Sequence, residues 1–179
     1  MGKRSNFDRI PRDFYPTPIE AVKPLIPHLP YAFDYVEPCA GDGRLVQHIT
    51  DLTDGHGECL AASDIEPRSP TVSRFDALEG YDLFSDYCIT NPPWDRKMLH
   101  PFIERWMQIC PTWVLFDADW MHTKQSTVLM SYCEKVVSVG RVKWIEESAG
   151  VGKDNCCWYL FDLLKEPHKS TEFYGRTGL

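Results

Sequence analysis

The 179-residue chain has no apolar run approaching the ~18 residues that a membrane-spanning helix requires. Its first residues lack the apolar segment of a signal peptide, and Met1-Gly2 is followed by Asn6 where a myristoylation pattern needs Ser or Thr. A soluble, cytoplasmic protein is expected. Seven cysteines (Cys39, Cys59, Cys88, Cys110, Cys133, Cys156, Cys157) form no C-x-x-C pair, and their number is odd. They read as reduced, mostly buried thiols rather than a disulfide frame or zinc site. The six histidines lack ligand spacing, so no structural metal is expected. Positive charge is also short: 26 acidic residues against 19 basic give a net charge of −7. The chain therefore lacks the overall positive field that supplies most non-specific affinity for nucleic acid, which weighs against duplex DNA. The full G-x-G-x-x-G fingerprint of nicotinamide and flavin sites is missing as well.

What is present is organised around Asp86-Tyr87-Cys88-Ile89-Thr90-Asn91-Pro92-Pro93-Trp94. The first half reads as a buried strand. Two prolines then end it, because they cannot donate to a ladder and Pro92 pushes Asn91 away from helical angles. The result is a rigid corner offering a side-chain amide, backbone carbonyls without competing N–H donors, and an aromatic face. Those parts suit a planar amino group and its ring.

Upstream, Met1 to Arg12 reads as a mobile basic arm carrying Lys3, Arg4, Arg9 and Arg12. Thr17, Pro18 and Glu20 spell a helix start, with Thr17 as N-cap, and the helix runs toward Ile26 with Ala21, Val22 and Leu25 inward. Pro24 should kink it or stop it early. Phe33–Glu37 is a strand, Glu37-Pro38-Cys39-Ala40-Gly41-Asp42-Gly43 the turn after it, and Arg44 opens a helix with Leu45, Val46 and Ile49 on one face. Strand, glycine turn and helix make the first unit of a doubly wound sheet. Leu60–Ile65 is the second strand, and it brings Asp64 to a position about 20 residues past the glycines, where nucleotide-binding folds place a ribose-binding carboxylate.

The pattern resembles the class I S-adenosylmethionine-dependent methyltransferases of the N6-adenine type. Asn91-Pro92-Pro93-Trp94 resembles their Asn/Asp-Pro-Pro-aromatic motif, and acid-Pro-x-x-Gly-x-Gly resembles their cofactor loop. The resemblance covers roughly residues 13 to 164 and implies S-adenosylmethionine as cofactor. It implies cofactor contacts from Tyr15, Thr17, Pro18, Glu37, Pro38, Gly41, Gly43, Asp64, Ile65, Asp76, Ala77 and Asn91. Ile65 would pack on the adenine ring, Asp76 would accept its amine, and Phe75 or Ala77 would line that pocket. The catalytic set would be Asn91, Pro92, Pro93 and Trp94. Asn91 Oδ1 and the Pro92 carbonyl would hold the acceptor amine while Trp94 stacks its ring. The implied fold is an α/β Rossmann-like methyltransferase domain: a mostly parallel doubly wound sheet closed by an antiparallel C-terminal hairpin. The implied substrate is the N6 amine of adenine in DNA, single-stranded or locally opened. An RNA base amine, a protein glutamine amide, and a non-catalytic cofactor-binding interaction protein are the alternatives. Only about 85 residues follow the motif, so no separate target-recognition domain is expected, as in small solitary phage-like members.

The last third completes the expectations. Met98 to Cys110 reads as a helix packing Leu99, Phe102, Ile103, Trp106 and Cys110 into the core. Thr112–Phe116 is a strand, with Trp120 and His122 beyond its carboxyl end as candidates for the substrate mouth. Thr123–Tyr132 reads as a helix. Val136–Val139, Arg141–Ile145 and Cys156–Leu164 read as strands, and Ser148–Lys153 as a glycine-bearing loop leading into Lys153-Asp154-Asn155, a substrate contact or a plain turn. The tail from Glu166 reads as loose, with Lys169 and Arg176 as further phosphate candidates.

Overall fold

A computed structural model describes residues 14–79, 83–145, 152–165 and 169–176. The basic arm, Asp82 and residues 148–151 of the glycine-bearing loop lie outside the described residues. Eight strands form one sheet in the order β3-β2-β1-β4-β5-β7-β6-β8. They are β1 (Phe33–Glu37), β2 (Gly57–Asp64), β3 (Ser73–Arg74), β4 (Tyr87–Thr90), β5 (Thr112–Asp117), β6 (Cys133–Arg141), β7 (Asn155–Phe161) and β8 (Glu172–Tyr174). β1 pairs parallel with both β2 and β4. The chain thus grows outward on one side through β2 and β3, then crosses to β4 and β5. That reversal between β1 and β4 is the switch point at which open α/β sheets leave a crevice beyond their carboxyl ends. β7 runs antiparallel to both β5 and β6. This is an α/β Rossmann-like fold, mostly parallel with an antiparallel C-terminal hairpin.

Side-chain alternation explains the two cores. Along β5 and β7, Trp113, Leu115, Trp158 and Leu160 face one side. Val114, Phe116, Cys157, Tyr159 and Phe161 face the other. A strand buried on both faces needs a continuous apolar run, and residues 113–116 of β5 and 156–161 of β7 supply one. The first face is covered by α1 (Ile19–Val22) and α2 (Arg44–Leu52) through Ala21, Val22, Leu45 and Ile49. The second is covered by α3 (Arg96–Trp106) through Leu99, Phe102, Ile103 and Trp106. Trp158 Nε1 donates to the Ala21 carbonyl at 2.7 Å, tying α1 to β7 through the first core.

Several expectations are corrected. α1 stops at Val22 as the proline at 24 requires, but Pro18 is its N-cap and no side chain caps it. The Thr17 hydroxyl is engaged elsewhere, as described below. α3 ends at Trp106, and Cys110 is buried beyond the helix. Residues Thr123 to Tyr132 hold a short 3₁₀ turn and the four-residue helix α4 (Thr127–Met130) instead of one continuous helix. Ser126 Oγ donates to the carbonyls of Met121 and Thr123, and Thr123 Oγ1 to that of Trp120. Such local hydroxyl bonds compete with a helical ladder. β6 starts earlier than expected and ends at Arg141, so Val142–Ile145 is not strand. The tail contributes β8, parallel to β6. Lys169 pairs with Glu134, which occupies one of the two phosphate candidates. Trp120 is fully buried, its indole donating to His100 Nε2 at 3.0 Å, so it does not line a substrate mouth. No helix among the described residues is long and apolar enough to cross a membrane.

Candidate active site

At the carboxyl ends of β1, β2 and β4 lies a cavity of about 530 Å³. Its floor is the turn after β1. Gly41 (φ +53°) and Gly43 (φ +82°) adopt left-handed angles that residues with a Cβ rarely accept. A Cβ on Gly41 would sit 2.7 Å from the Phe14 ring, so that glycine also provides close approach. The loop is held by Ala40 N–H donating to the Ser63 carbonyl (2.8 Å) and Gly41 N–H donating to Asp64 Oδ2 (2.9 Å). Asp64 Oδ1 accepts from Glu66 N–H at 2.8 Å. Each oxygen of Asp64 therefore has one backbone partner and capacity for another donor. Across the mouth, the Arg68 guanidinium lies 4.0 Å above the Phe14 ring centroid.

Glu37 is the anomaly. It is buried, lines the cavity, and its Oε2 has no hydrogen-bond partner among the described residues. Burial pushes its carboxyl well above the usual range, and the nearby charges of Asp64 and Asp42 push the same way. A buried, unpartnered carboxyl facing a cavity is stabilised by a cation or donor placed there. Cys39 lines the same cavity, and burial raises its thiol beyond reactive range.

The second half of the cavity is the proline corner at the end of β4. Asn91 Nδ2 donates to Thr17 Oγ1 at 3.1 Å and to the Tyr15 carbonyl at 3.4 Å. Asn91 Oδ1 accepts from Trp94 Nε1–H at 3.0 Å. Pro92 is buried, and its carbonyl accepts no hydrogen bond from the described residues.

Twelve of the expected residues therefore meet in one cavity: Tyr15, Thr17, Glu37, Pro38, Gly41, Asp64, Ile65, Asp76, Ala77, Asn91, Pro92 and Pro93. Pro18, Gly43 and Trp94 do not line it. Pro18 opens α1, and Gly43 caps α2 behind the loop. The Trp94 ring lies instead 5.3 Å from that of Phe116 and 5.4 Å from that of Trp144. Phe75 and His122 are absent from the lining too. Sequence reasoning missed Leu78, Met98 and Phe102, which also line it. Phe102 and its helix read as core packing alone, yet Phe102 serves both the second core and the cavity wall.

No protein-family model matches the sequence, and comparison with curated proteins gives no match. Solved structures do match. A candidate RNA methyltransferase from Pyrococcus horikoshii is 17% identical (TM-score 0.56), with 84% of this chain and 88% of that one covered. A candidate class I S-adenosylmethionine-dependent methyltransferase from Listeria monocytogenes is 12% identical (TM-score 0.58), with 89% and 63% covered. The M protein of the type I restriction enzyme EcoKI is 13% identical (TM-score 0.55), with 89% and 47% covered. The chain thus spans most of the first, under two thirds of the second and about half of the third. At these identities the likeness establishes the methyltransferase fold.

Proposed function

We propose that the protein is an S-adenosylmethionine-dependent N-methyltransferase whose acceptor is the N6 amine of adenine in DNA, presented single-stranded or locally opened. The observation that carries this is the joining of two half-sites in one cavity: the Glu37–Gly41–Asp64 cradle and the Asn91–Pro92 corner. The donor set suits the cofactor. Asp64 retains acceptor capacity for ribose hydroxyls, Ile65 and Ala77 give apolar walls for a purine, and Asp76 gives an acceptor beside them. The orphaned Glu37 carboxyl favours a cationic ligand over a neutral one. S-adenosylmethionine, when bound, supplies a methyl group already attached to a good leaving group, so the protein's task is alignment.

At the corner, among the described residues, Asn91 Oδ1 has one lone pair left after Trp94, and the Pro92 carbonyl is unclaimed. Together they accept the two N–H groups of a primary amine and localise its lone pair toward the methyl donor. No general base is needed for that step. The net charge of −7 disfavours duplex binding, and an already exposed base avoids the few kcal/mol that extrusion from a duplex costs. An RNA base amine is the second reading, favoured by the likeness to the Pyrococcus structure. A glutamine amide would present the same two N–H donors. Incubating the protein with methyl-labelled cofactor and separate DNA, RNA and protein pools tests all three. Label should enter single-stranded DNA and vanish with Asn91→Ala, while cofactor binding persists. Label in RNA or protein alone moves the substrate, and no binding of cofactor by the wild type overturns the reading.

A further inference from the structure

The Asn91 amide is held at both ends by partners whose hydrogen-bonding roles are fixed. An indole N–H can only donate, so the atom facing Trp94 Nε1 must be the oxygen. A main-chain carbonyl can only accept, so the atom facing Tyr15 O must be the amide nitrogen. The Thr17 hydroxyl, 5% exposed, takes the same nitrogen's other N–H. A flipped amide would set nitrogen against an indole N–H and oxygen against a carbonyl, losing the bonds to Trp94 and Tyr15, while the Thr17 hydroxyl could donate to the oxygen instead. Trp94 is itself fixed, because its ring is packed against both cores and flanked by Phe116 and Trp144.

We propose that Trp94 and Thr17 are positioning residues: Thr17 holds the Asn91 amide in place, and Trp94, with the Tyr15 carbonyl opposite, fixes its orientation through its indole N–H rather than acting as a stacking surface. This rests on the methyl-transfer reading above. The lock keeps the second Oδ1 lone pair available to the acceptor amine. It also makes the N-terminal segment a sensor of residue 91's chemistry. A carboxylate there could accept from the Thr17 hydroxyl but has no N–H for the Tyr15 carbonyl, so Asp sets oxygen against oxygen at position 91 and is disfavoured although it would accept the same amine.

The test uses the full chain and four variants, Trp94→Phe, Thr17→Val, Thr17→Ser and Asn91→Asp, each first checked for an unchanged circular dichroism spectrum. Methyl transfer to the labelled pool gives kcat, and calorimetry with S-adenosylhomocysteine gives cofactor affinity. Trp94→Phe keeps an aromatic ring but no N–H, and should lower kcat roughly tenfold, the scale of one lost hydrogen bond. Cofactor affinity should stay within about twofold, because the change lies outside the cavity. Thr17→Val should lower kcat similarly, and Thr17→Ser should recover most of that loss. Asn91→Asp should fall further than either. Wild-type turnover by Trp94→Phe overturns the proposal, as does wild-type turnover by Asn91→Asp.

A readout independent of turnover separates this lock from the functional reading. The Trp94 indole N–H resonance in a ¹H–¹⁵N spectrum should shift in Asn91→Ala, because its acceptor is gone. If no pool gains label but the resonance shifts, the methyl-transfer reading fails and the lock stands. An unmoved resonance overturns the lock.

Discussion

Gly41 N–H donates to Asp64 Oδ2 at 2.9 Å, joining the glycine turn after β1 to the end of β2 by a charge-assisted bond. With the Glu66 N–H on the other oxygen, one carboxylate sets the shape of two loops that wall the cavity. Asp64→Ala should therefore cost stability as well as ligand affinity. The loss of two such bonds at a half-buried site is about 2 kcal/mol, a melting decrease of roughly 4–8 °C. Calorimetry should show S-adenosylhomocysteine affinity reduced at least roughly tenfold. Normal melting with weakened binding would mean that Asp64 touches the ligand without shaping the loops.

Gly41→Ala meets two separate obstacles. The left-handed angle costs a residue with a Cβ about 1 kcal/mol, and the new carbon falls 2.7 Å from the Phe14 ring. The double variant Gly41→Ala/Phe14→Ala removes the second obstacle alone. Denaturant melts of the four proteins should show a favourable coupling between the two changes, with part of the Gly41→Ala loss remaining. Strict additivity would place the Phe14 ring away from the loop.

Glu37 should make the ligand-free protein less stable as pH rises. Its folded-state carboxyl is raised well above the ordinary 4.5. Below that value both folded and unfolded chains hold the proton. Above it the unfolded chain releases the proton while the fold retains it, so stability declines until Glu37 ionises within the fold. Melting curves from pH 4 to 8 should show Glu37→Gln gaining on the wild type as pH increases. Saturating S-adenosylmethionine should narrow that gap, because a cation favours the ionised form. A gap that ignores pH would mean that the folded carboxyl is already ionised near its ordinary value.

His100 gives the opposite sign. Trp120 donates to its Nε2, so the ring is neutral with its proton on Nδ1, and burial lowers its affinity for a second proton. Its contribution is complete above the ordinary 6.5 and is lost as pH falls below it, when the unfolded chain takes up protons first. The wild type should lose ground to His100→Gln between pH 7 and pH 5 in thermal melts. Parallel curves would mean that the ring is already exposed enough to protonate freely.

The strands were legible because their signals are local. β1, β4 and β5 are short apolar runs that end at an acid or a proline, and the glycines at 41 and 43 fall where a turn needs them. Asp64 was placed through its spacing from those glycines, whereas Glu37 and Asp76 came only with the resemblance, and the three lie together along one cavity. What stayed hidden depends on distant partners. Thr17 has the sequence of a helix cap, but its hydroxyl is taken by an amide 74 residues further on. Trp94 reads as an open aromatic face until Phe116 and Trp144, from other segments, close around it. β8 is exposed at all three positions, so no alternation marks it. Phe102 lies on a helix whose apolar stripe already had an explanation.

The bond from Trp158 to the Ala21 carbonyl spans 137 residues, and it carries a consequence for synthesis on the ribosome. A nascent chain has released every wall of the cavity once Phe102 is out, yet the indole that fastens α1 emerges much later. Truncations ending before β7 should leave α1 around Ala21 unfastened and sensitive to protease, and completion of that strand should be the event that protects it.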